Sequence, residues 1–387
     1  MNVALITDSF PPMVDGVSRS VLGYASAFHG GGHGKCIVVT PRIPGVKYHY
    51  PFPVYSFLSV GLPYAEYRAG HPLTPKLLTR LKAMNIDIIH AHSPFVSMAV
   101  ARQLRLFLNV PIVFTQHTKW DYDIARAVPT KTLQKGVEQF VYKNLSAANE
   151  LWAVSRGAAG YFVERGYSGE YVVMPNGTDF AKGSADSALT EKLSRKHGLP
   201  EDVPVLLFVG RMMWYKNIGL IIDALELLHK CGFDFRMVFV GDGEDLRDIT
   251  QMARDKGLAD VTVFAGRVND REVLRAYFTR SNLFVFPSVY DNAPLVVREA
   301  AACACPSLVV RGSSASEMLE DGATGFFAEE NAESLSAAIQ AVFSDREKLA
   351  AVSAAASEEV YLSWSKVAER SADRYKEVIK AYAGKNA

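Results

Sequence analysis

Two cations stand at fixed spacing in the run VLLFVGRMMWYKNIG (residues 205–219): Arg211 directly after Gly210, and Lys216 five residues later. The apolar run Val205–Val209 has the composition of a buried strand, and a new apolar-periodic segment begins at Ile218. Positive charge just past the carboxyl end of a strand, at the entrance to a helix, suits a diphosphate leaving group. About 75 residues later, FPSVYDNAPLVVREAAA carries Asp291 and Glu299 eight residues apart. If a helix starts near Pro294, the amides at Asn292 and Ala293 and a first turn opening at Leu295 face a phosphate. Glu299, little more than one turn in, then accepts from ribose hydroxyls, and Asp291 reaches sugar hydroxyls. Each residue also has a plain structural reading: Asp291 as an N-cap, Glu299 as a solvated helix residue, Arg211 as half of an ion pair. The loop GDGED, with Gly241 and Asp242, and Arg267 after VTVFAG fall at further strand ends.

In the amino half, VALITDSF is followed by PPMVDGVSRS. Gly16 there permits close backbone approach to a ligand or an unusual φ. IIHAHSPF places His90 and His92 at one strand end, and IVFTQHTKWDYD places His117 at another. A histidine beside a cleft can donate to a substrate hydroxyl, although a lone histidine is more often structural. His90, two positions before His92, is expected on the opposite side of the strand. The chain has no H-E-x-x-H, G-x-S-x-G or G-x-x-x-x-G-K-[ST], so the metalloprotease, serine hydrolase and P-loop readings lack their motifs. DYD at 121–123 has the letters of a metal-bridging motif. Beside Trp120 and Tyr122 it reads as acceptor-side or structural, and no metal site is expected.

Groups at strand ends need strands to hold them. The first half alternates VALIT, KCIVVTP, IDIIHAH, VPIVFTQHT and ELWAVS with amphipathic segments; the second repeats the scheme with PVLLFVG, FRMVFVGDG, VTVFAG, LFVFPS and PSLVV. Continuous β-branched runs joined by helical patterns predict doubly wound parallel sheets. A length of 387 residues favours two domains. The turn-rich interval PNGTDFAKGSADSA suggests a linker at about 176–200, and residues 331–384 read as helical. No apolar run reaches membrane-spanning length, and Met1 leads straight into a strand-like segment. Cys36, Cys231, Cys303 and Cys305 show neither disulfide nor zinc spacing. A cytoplasmic chain is therefore expected. Net charge is +1, yet residues 1–180 hold 17 Lys and Arg against 11 Asp and Glu, a surplus of six positive charges. Such a half suits an anionic surface or acceptor, or reflects ordinary scatter.

Taken in order, FPPMVDGVSRSV, IDIIHAHSPF, FTQHTKWDYD, AVSRG, VMPNGTD, FVGRMMWYKN, VGDGED and PSVYDNAPLVVREAAA resemble the retaining glycosyltransferases of family 4. The resemblance covers essentially the whole chain. It is strongest to the bacterial 1,2-diacylglycerol 3-glucosyltransferases, with the phosphatidylinositol mannosyltransferases as cousins. It implies a GT-B fold of two Rossmann-like domains facing a cleft: an acceptor-binding domain over 1–180, a nucleotide-sugar domain over 181–365, and a closing helix over 366–387 that returns to the first domain. Arg211 and Lys216 would hold the donor diphosphate; Asp291 stands where the family's first Glu touches the sugar, and Glu299 where its second touches ribose. Gly16 matches the glycine loop, with Asp15 in place of the first glycine, and His117 matches the histidine near the transferred sugar.

The implied reaction moves a hexose, glucose from UDP-glucose in the leading reading, to diacylglycerol or a related membrane lipid. Attack is from the front face, the leaving phosphate takes the acceptor proton, and no cofactor or divalent metal is needed. GDP-mannose transfer to a phosphatidylinositol-like lipid or a polysaccharide precursor, a catalytically silent sugar-nucleotide binder and an epimerase stay open. No nucleic-acid partner is implied. Tyr64, Arg68, Arg102, Arg105, Lys119 and Tyr122 are candidates for acceptor or membrane contact. Basic amphipathic segments around them either rest on an anionic inner membrane face or are solvated helix faces.

Overall fold

The computed structural model describes residues 1–13, 15–61, 68–70, 75–118, 120, 124–125, 128–165 and 169–386. The chain divides into two compact units: Met1–Gly177 with Trp364–Ala387, and Thr178–Ser363.

The first unit is built on β1 (Asn2–Ile6), β2 (Lys35–Pro41), β3 (Val54–Phe57), the short pair β4 (Ser59–Gly61) and β5 (Arg68–Gly70), β6 (Ile88–Ala91), β7 (Ile112–Gln116), β8 (Glu150–Ala153) and β9 (Tyr171–Val173). Seven of these form one sheet in the order β3-β2-β1-β6-β7-β8-β9, parallel throughout. The helices are α1 (Gly16–Gly30), α2 (Pro75–Ala83), α3 (Val96–Leu108), α4 (Lys131–Leu145) and α5 (Arg156–Val163). The second unit opens with α6 (Ser187–His197) and then runs β10 (Val205–Val209), α7 (Ile218–Lys230), β11 (Arg236–Val240), α8 (Leu246–Asp255), β12 (Thr262–Gly266), α9 (Arg271–Arg280), β13 (Leu283–Phe286), α10 (Leu295–Ala302), β14 (Ser307–Val310) and β15 (Phe326–Ala328). Its six strands lie in the order β12-β11-β10-β13-β14-β15, again parallel. Then come α11 (Ala332–Ser344), α12 (Arg346–Ala355), a π-helical turn over Ala356–Val360, and α13 (Trp364–Asn386), which belongs to the first unit.

Central strands such as Val3–Ile6 and Val205–Phe208 are wholly buried. Both faces of each sheet are covered, so these strands read as unbroken apolar runs. Capping side chains mark where helices begin. Asp15, Thr130, Ser155, Asp186, Asn331 and Asp345 each accept a backbone N–H from the first turn of α1, α4, α5, α6, α11 and α12. The expected linker at 176–200 is not a linker over its length. Asp186 starts α6 and Gly198, at φ 59°, ends it, so the turn-rich composition there is partly capping chemistry.

α13 is tied to the first unit by specific contacts. Arg374 grips both carboxylate oxygens of Glu150 at 2.9 and 2.6 Å, and Tyr375 stacks on Trp152 with centroids 5.2 Å apart. α13 packs along α1, where Gly23 makes room for the Trp364 indole: a Cβ at Gly23 would lie 2.2 Å from the ring. We expect Gly23→Val to force the indole out and destabilise the protein by about 1–3 kcal/mol, measured as a lowered urea midpoint. An unchanged midpoint would show that this helix pair is not close-packed.

Candidate functional site

In an open parallel sheet, ligands gather outside the carboxyl ends of strands where the strand order reverses. In the second unit that point lies between β10 and β13. The loop after β10 carries Arg211, which is exposed, and the 3₁₀ turn Trp214–Lys216. Asn217, in the left-handed region at φ 62°, turns the chain into α7. The loop after β13 carries Asp291, and Pro294 stands at the N-cap of α10. Lys216 Nζ donates to both carboxylate oxygens of Asp291, at 2.5 and 2.7 Å. The Ser288 hydroxyl donates to the same carboxylate at 2.6 Å. Both partners of this ion pair are mostly buried, with side chains 13% and 21% exposed, so it is screened far less than a surface pair. The structure thus brings Lys216 and Asp291 together, and Asp291 serves first as the counter-charge of Lys216.

Asn292 is buried, Ala293 and Leu295 are half-buried, and the first turn of α10 begins at Leu295. In that turn the Val297 amide donates to the Pro294 carbonyl at 3.2 Å, the amides of Leu295 and Val296 lack intrahelical acceptors by position, and Pro294 contributes none. Glu299 is buried. Its Oε1 accepts from Arg271 at 2.7 Å, and Arg271 also pairs with Asp179 through two nitrogens. The Arg271 guanidinium lies 4.2 Å from the centre of the Phe180 ring. Burial opposes its charge, but Glu299 and Asp179 more than compensate and hold its pKa above the ordinary value. Arg271 was not legible as a site residue: its partners lie 28 and 92 positions away.

Gly241 and Asp242 lie beside the loop after β10 for a backbone reason. Gly241 has φ 145°, and a Cβ there would sit 1.8 Å from the Gly210 carbonyl oxygen. The Met212 amide donates to the Asp242 carbonyl at 3.0 Å. Gly241 is therefore required by close packing of two loops. Arg267 is exposed and donates from Nε to Asn269 at 2.9 Å.

In the first unit the strand order reverses between β1 and β6. Gly16 is the first residue of α1, its φ is not positive, and a Cβ would meet no described atom within 4 Å. Of the two sequence readings, unusual φ is therefore excluded, and open space above the backbone remains. Asp8, in the loop after β1, accepts from the Ser97 amide at 2.8 Å and its hydroxyl at 2.6 Å, and burial raises its pKa to about 6. The strand-end rule that selected the histidines would have selected Asp8 as well.

His92 and His117, from the loops after β6 and β7, meet at 3.0 Å between Nδ1 and Nε2. His90 does not point away from His92. Side chains on a strand alternate, so residues two apart share a face, and the two ring centroids are 3.9 Å apart. His90 is a buried structural residue bonded to Tyr375 at 2.5 Å and Thr115 at 2.6 Å. Among the acceptor or membrane candidates, Arg68 bonds Ser59 across the β4–β5 pair at 3.0 Å. Arg102 and Arg105 bond Asn144 and the Ala147 carbonyl, each at 2.7 Å. Tyr64, Lys119 and Tyr122, and the DYD motif, lie outside the described residues.

Comparison with known proteins agrees with this fold. The family model described as Glycosyltransferase Family 4 matches residues 14–182, and that described as Glycosyl transferases group 1 matches residues 190–359. The chain belongs to the GT-B glycosyltransferases. It is similar to the alpha-monoglucosyldiacylglycerol synthase of Acholeplasma laidlawii, 23% identical over 351 residues that cover 86% of each chain. Sucrose-phosphate synthase from Thermosynechococcus elongatus superposes with a TM-score of 0.77, at 22% identity, over 98% of this chain and 99% of that one. HepE of Anabaena, solved in complex with UDP-glucose, superposes with a TM-score of 0.73, at 18% identity, over 97% and 100%. At these identities the two structures speak for the fold of this glycosyltransferase.

Burial holds the His117 imidazole neutral, its pKa pushed down from 6.5 to about 3. The unfolded chain therefore takes up this proton first as pH falls, and stability is lost progressively from about pH 6.5 downward, by about 1.4 kcal/mol per pH unit. We expect the stability advantage of the wild type over His117→Gln to shrink by about 2 kcal/mol between about pH 6.5 and pH 5. Urea midpoints at the two pH values measure this, and a constant difference would refute it.

Proposed function

We propose that this glycosyltransferase moves a hexose from a nucleoside-diphosphate sugar, with UDP-glucose as the leading donor, to a membrane lipid such as diacylglycerol. The observation that carries the donor half is Lys216, a half-buried cation fixed at the strand-order reversal beside the first turn of α10. A diphosphate placed there meets the Lys216 ammonium, the Arg211 guanidinium and helix-end amides, and as the leaving bond breaks its growing charge is stabilised by groups already in place. Asp291 releases Lys216 to the phosphate and turns to the sugar hydroxyls, and Glu299 accepts from ribose. The leaving phosphate takes the acceptor proton, the anomeric configuration is retained, and the two cations do the work that a divalent metal does elsewhere.

The lipid half rests on the similarity to a glucosyldiacylglycerol synthase and on the surface of the first unit. On α3, Leu106 and Phe107 are exposed, and on neighbouring α4 so are Leu133 and Phe140, beside the exposed Lys131, Lys135 and Lys143. Apolar side chains flanked by lysines suit the interface of an anionic bilayer. Among the described residues no helix is long and apolar enough to cross a membrane, and we place the enzyme peripherally on the inner face.

Lys216→Ala should lower kcat by about 10²–10³-fold, the cost of losing one preorganised charge-stabilising donor, and weaken UDP binding; unchanged turnover and affinity would sink the donor assignment. A panel of UDP- and GDP-sugars, with and without lipid vesicles, decides donor and acceptor. Transfer from GDP-mannose would replace the glucose reading, and no transfer from any donor would leave a silent binder. The protein should also sediment with phosphatidylglycerol vesicles at low salt and be released at high salt. Failure to sediment at low salt would remove the membrane reading.

A further inference from the structure

Arg271 is fixed at both ends. It is the first residue of α9, and the Asp270 side chain caps that helix by accepting the Glu272 and Val273 amides at 2.9 and 3.3 Å, which pins the backbone on either side of Arg271. At the far end, Nε and Nη2 both donate to Asp179, Nε at 3.1 Å. The guanidinium lies 4.2 Å from the centre of the Phe180 ring, and Phe180 is itself buried, edge-on to Phe278 with centroids 6.0 Å apart. A guanidinium is planar, and its five N–H groups diverge within that plane. With the Nε–Nη2 edge held by one carboxylate and the group set against an aromatic ring, the second Nη2 hydrogen has one direction left. It goes to Glu299 Oε1 at 2.7 Å.

Glu299 stands on α10 with its side chain 5% exposed. A carboxylate offers about four lone-pair sites, and the Arg271 bond uses one of them. Fixing that one fixes the plane of the carboxylate and so the direction of the others. A lysine could supply the counter-charge alone. The cap, the fork on Asp179 and the Phe180 ring supply a direction as well, which is the property that sets arginine apart from lysine. Hydrogen bonds weaken steeply off axis, so a carboxylate that must accept from a ligand hydroxyl gains from being held in one plane.

We propose that Arg271 is a positioning residue that orients the Glu299 carboxylate toward a ribose hydroxyl, so that preference for ribonucleotide over deoxyribonucleotide donors depends on Arg271. This rests on the reading that Glu299 accepts from ribose. Arg271 itself touches Glu299 and Asp179, and it acts on the nucleotide through Glu299. Its loss therefore changes the value of a hydroxyl group and not only the total affinity.

The test is isothermal titration calorimetry on the full-length chain with UDP, 2′-deoxy-UDP and 3′-deoxy-UDP, and with GDP and its two deoxy counterparts. We expect the weaker deoxy ligand to bind the wild type about 10–100-fold less tightly than its parent, the value of one hydrogen bond to a charged group. Arg271→Lys should cut that ratio to about threefold or less, because an ammonium cannot hold two carboxylates in one plane. Asp179→Ala should lower it in the same direction; it removes a side chain that is 54% exposed, and it decides the question if Arg271→Lys does not fold. A ratio unchanged in these variants overturns the proposal, and so does an equal weakening of ribo and deoxy ligands, which is what a merely stabilising ion pair would give. Glu299→Ala separates the two readings. A wild-type ratio near one, or a ratio that Glu299→Ala leaves intact, overturns the ribose reading and the proposal with it. A ratio that Glu299→Ala abolishes and Arg271→Lys keeps overturns the proposal alone. Failure of the wild type to bind either parent diphosphate overturns both.

Discussion

Everything in this molecule follows from covering both faces of two parallel sheets. A parallel strand buried on both sides has nowhere to put a polar side chain except at its ends. The apolar runs Val3–Ile6 and Val205–Phe208 obey this strictly. Chemistry is thereby expelled to the loops beyond the carboxyl ends. Where the strand order reverses, two neighbouring loops leave in opposite directions and open a crevice. The Lys216–Asp291 pair forms across one such reversal and the Asp8–Ser97 contact across the other.

The second theme is that charge at these loops is already matched. Lys216 is neutralised by Asp291, which Ser288 also holds. Glu299 is neutralised by Arg271, which Asp179 shares. A half-buried ion left alone would cost several kcal/mol, so each partner keeps the other in place. In the first unit the solution is different. The imidazoles of His90, His92 and His117 are kept uncharged by burial.

Much of this could be read along the chain. The strand β10, the helix α10 and the cations between β10 and α7 are local features: unbroken β-branched runs, a proline at a helix start, a lysine at fixed distance from a strand end. Local patterns also mislead. The stretch 176–200 looked like linker because the residues that cap a helix are the residues that make turns, and α6 lies within it. His90 does not face away from His92, because strand periodicity sets residues two apart on one face.

What no local rule contains is pairing across long separations. The Asp179–Arg271–Glu299 triad, the grip of Arg374 on Glu150 and the fit of Trp364 over Gly23 join residues 28 to 341 positions apart. The sequence by itself determined two doubly wound sheets and which residue types stand at their ends, because burial and capping act over a few residues. Only the tertiary structure decided which charges face each other and which histidines meet. Those depend on the order in which strands lie side by side, and strand order is a property of the assembled sheet.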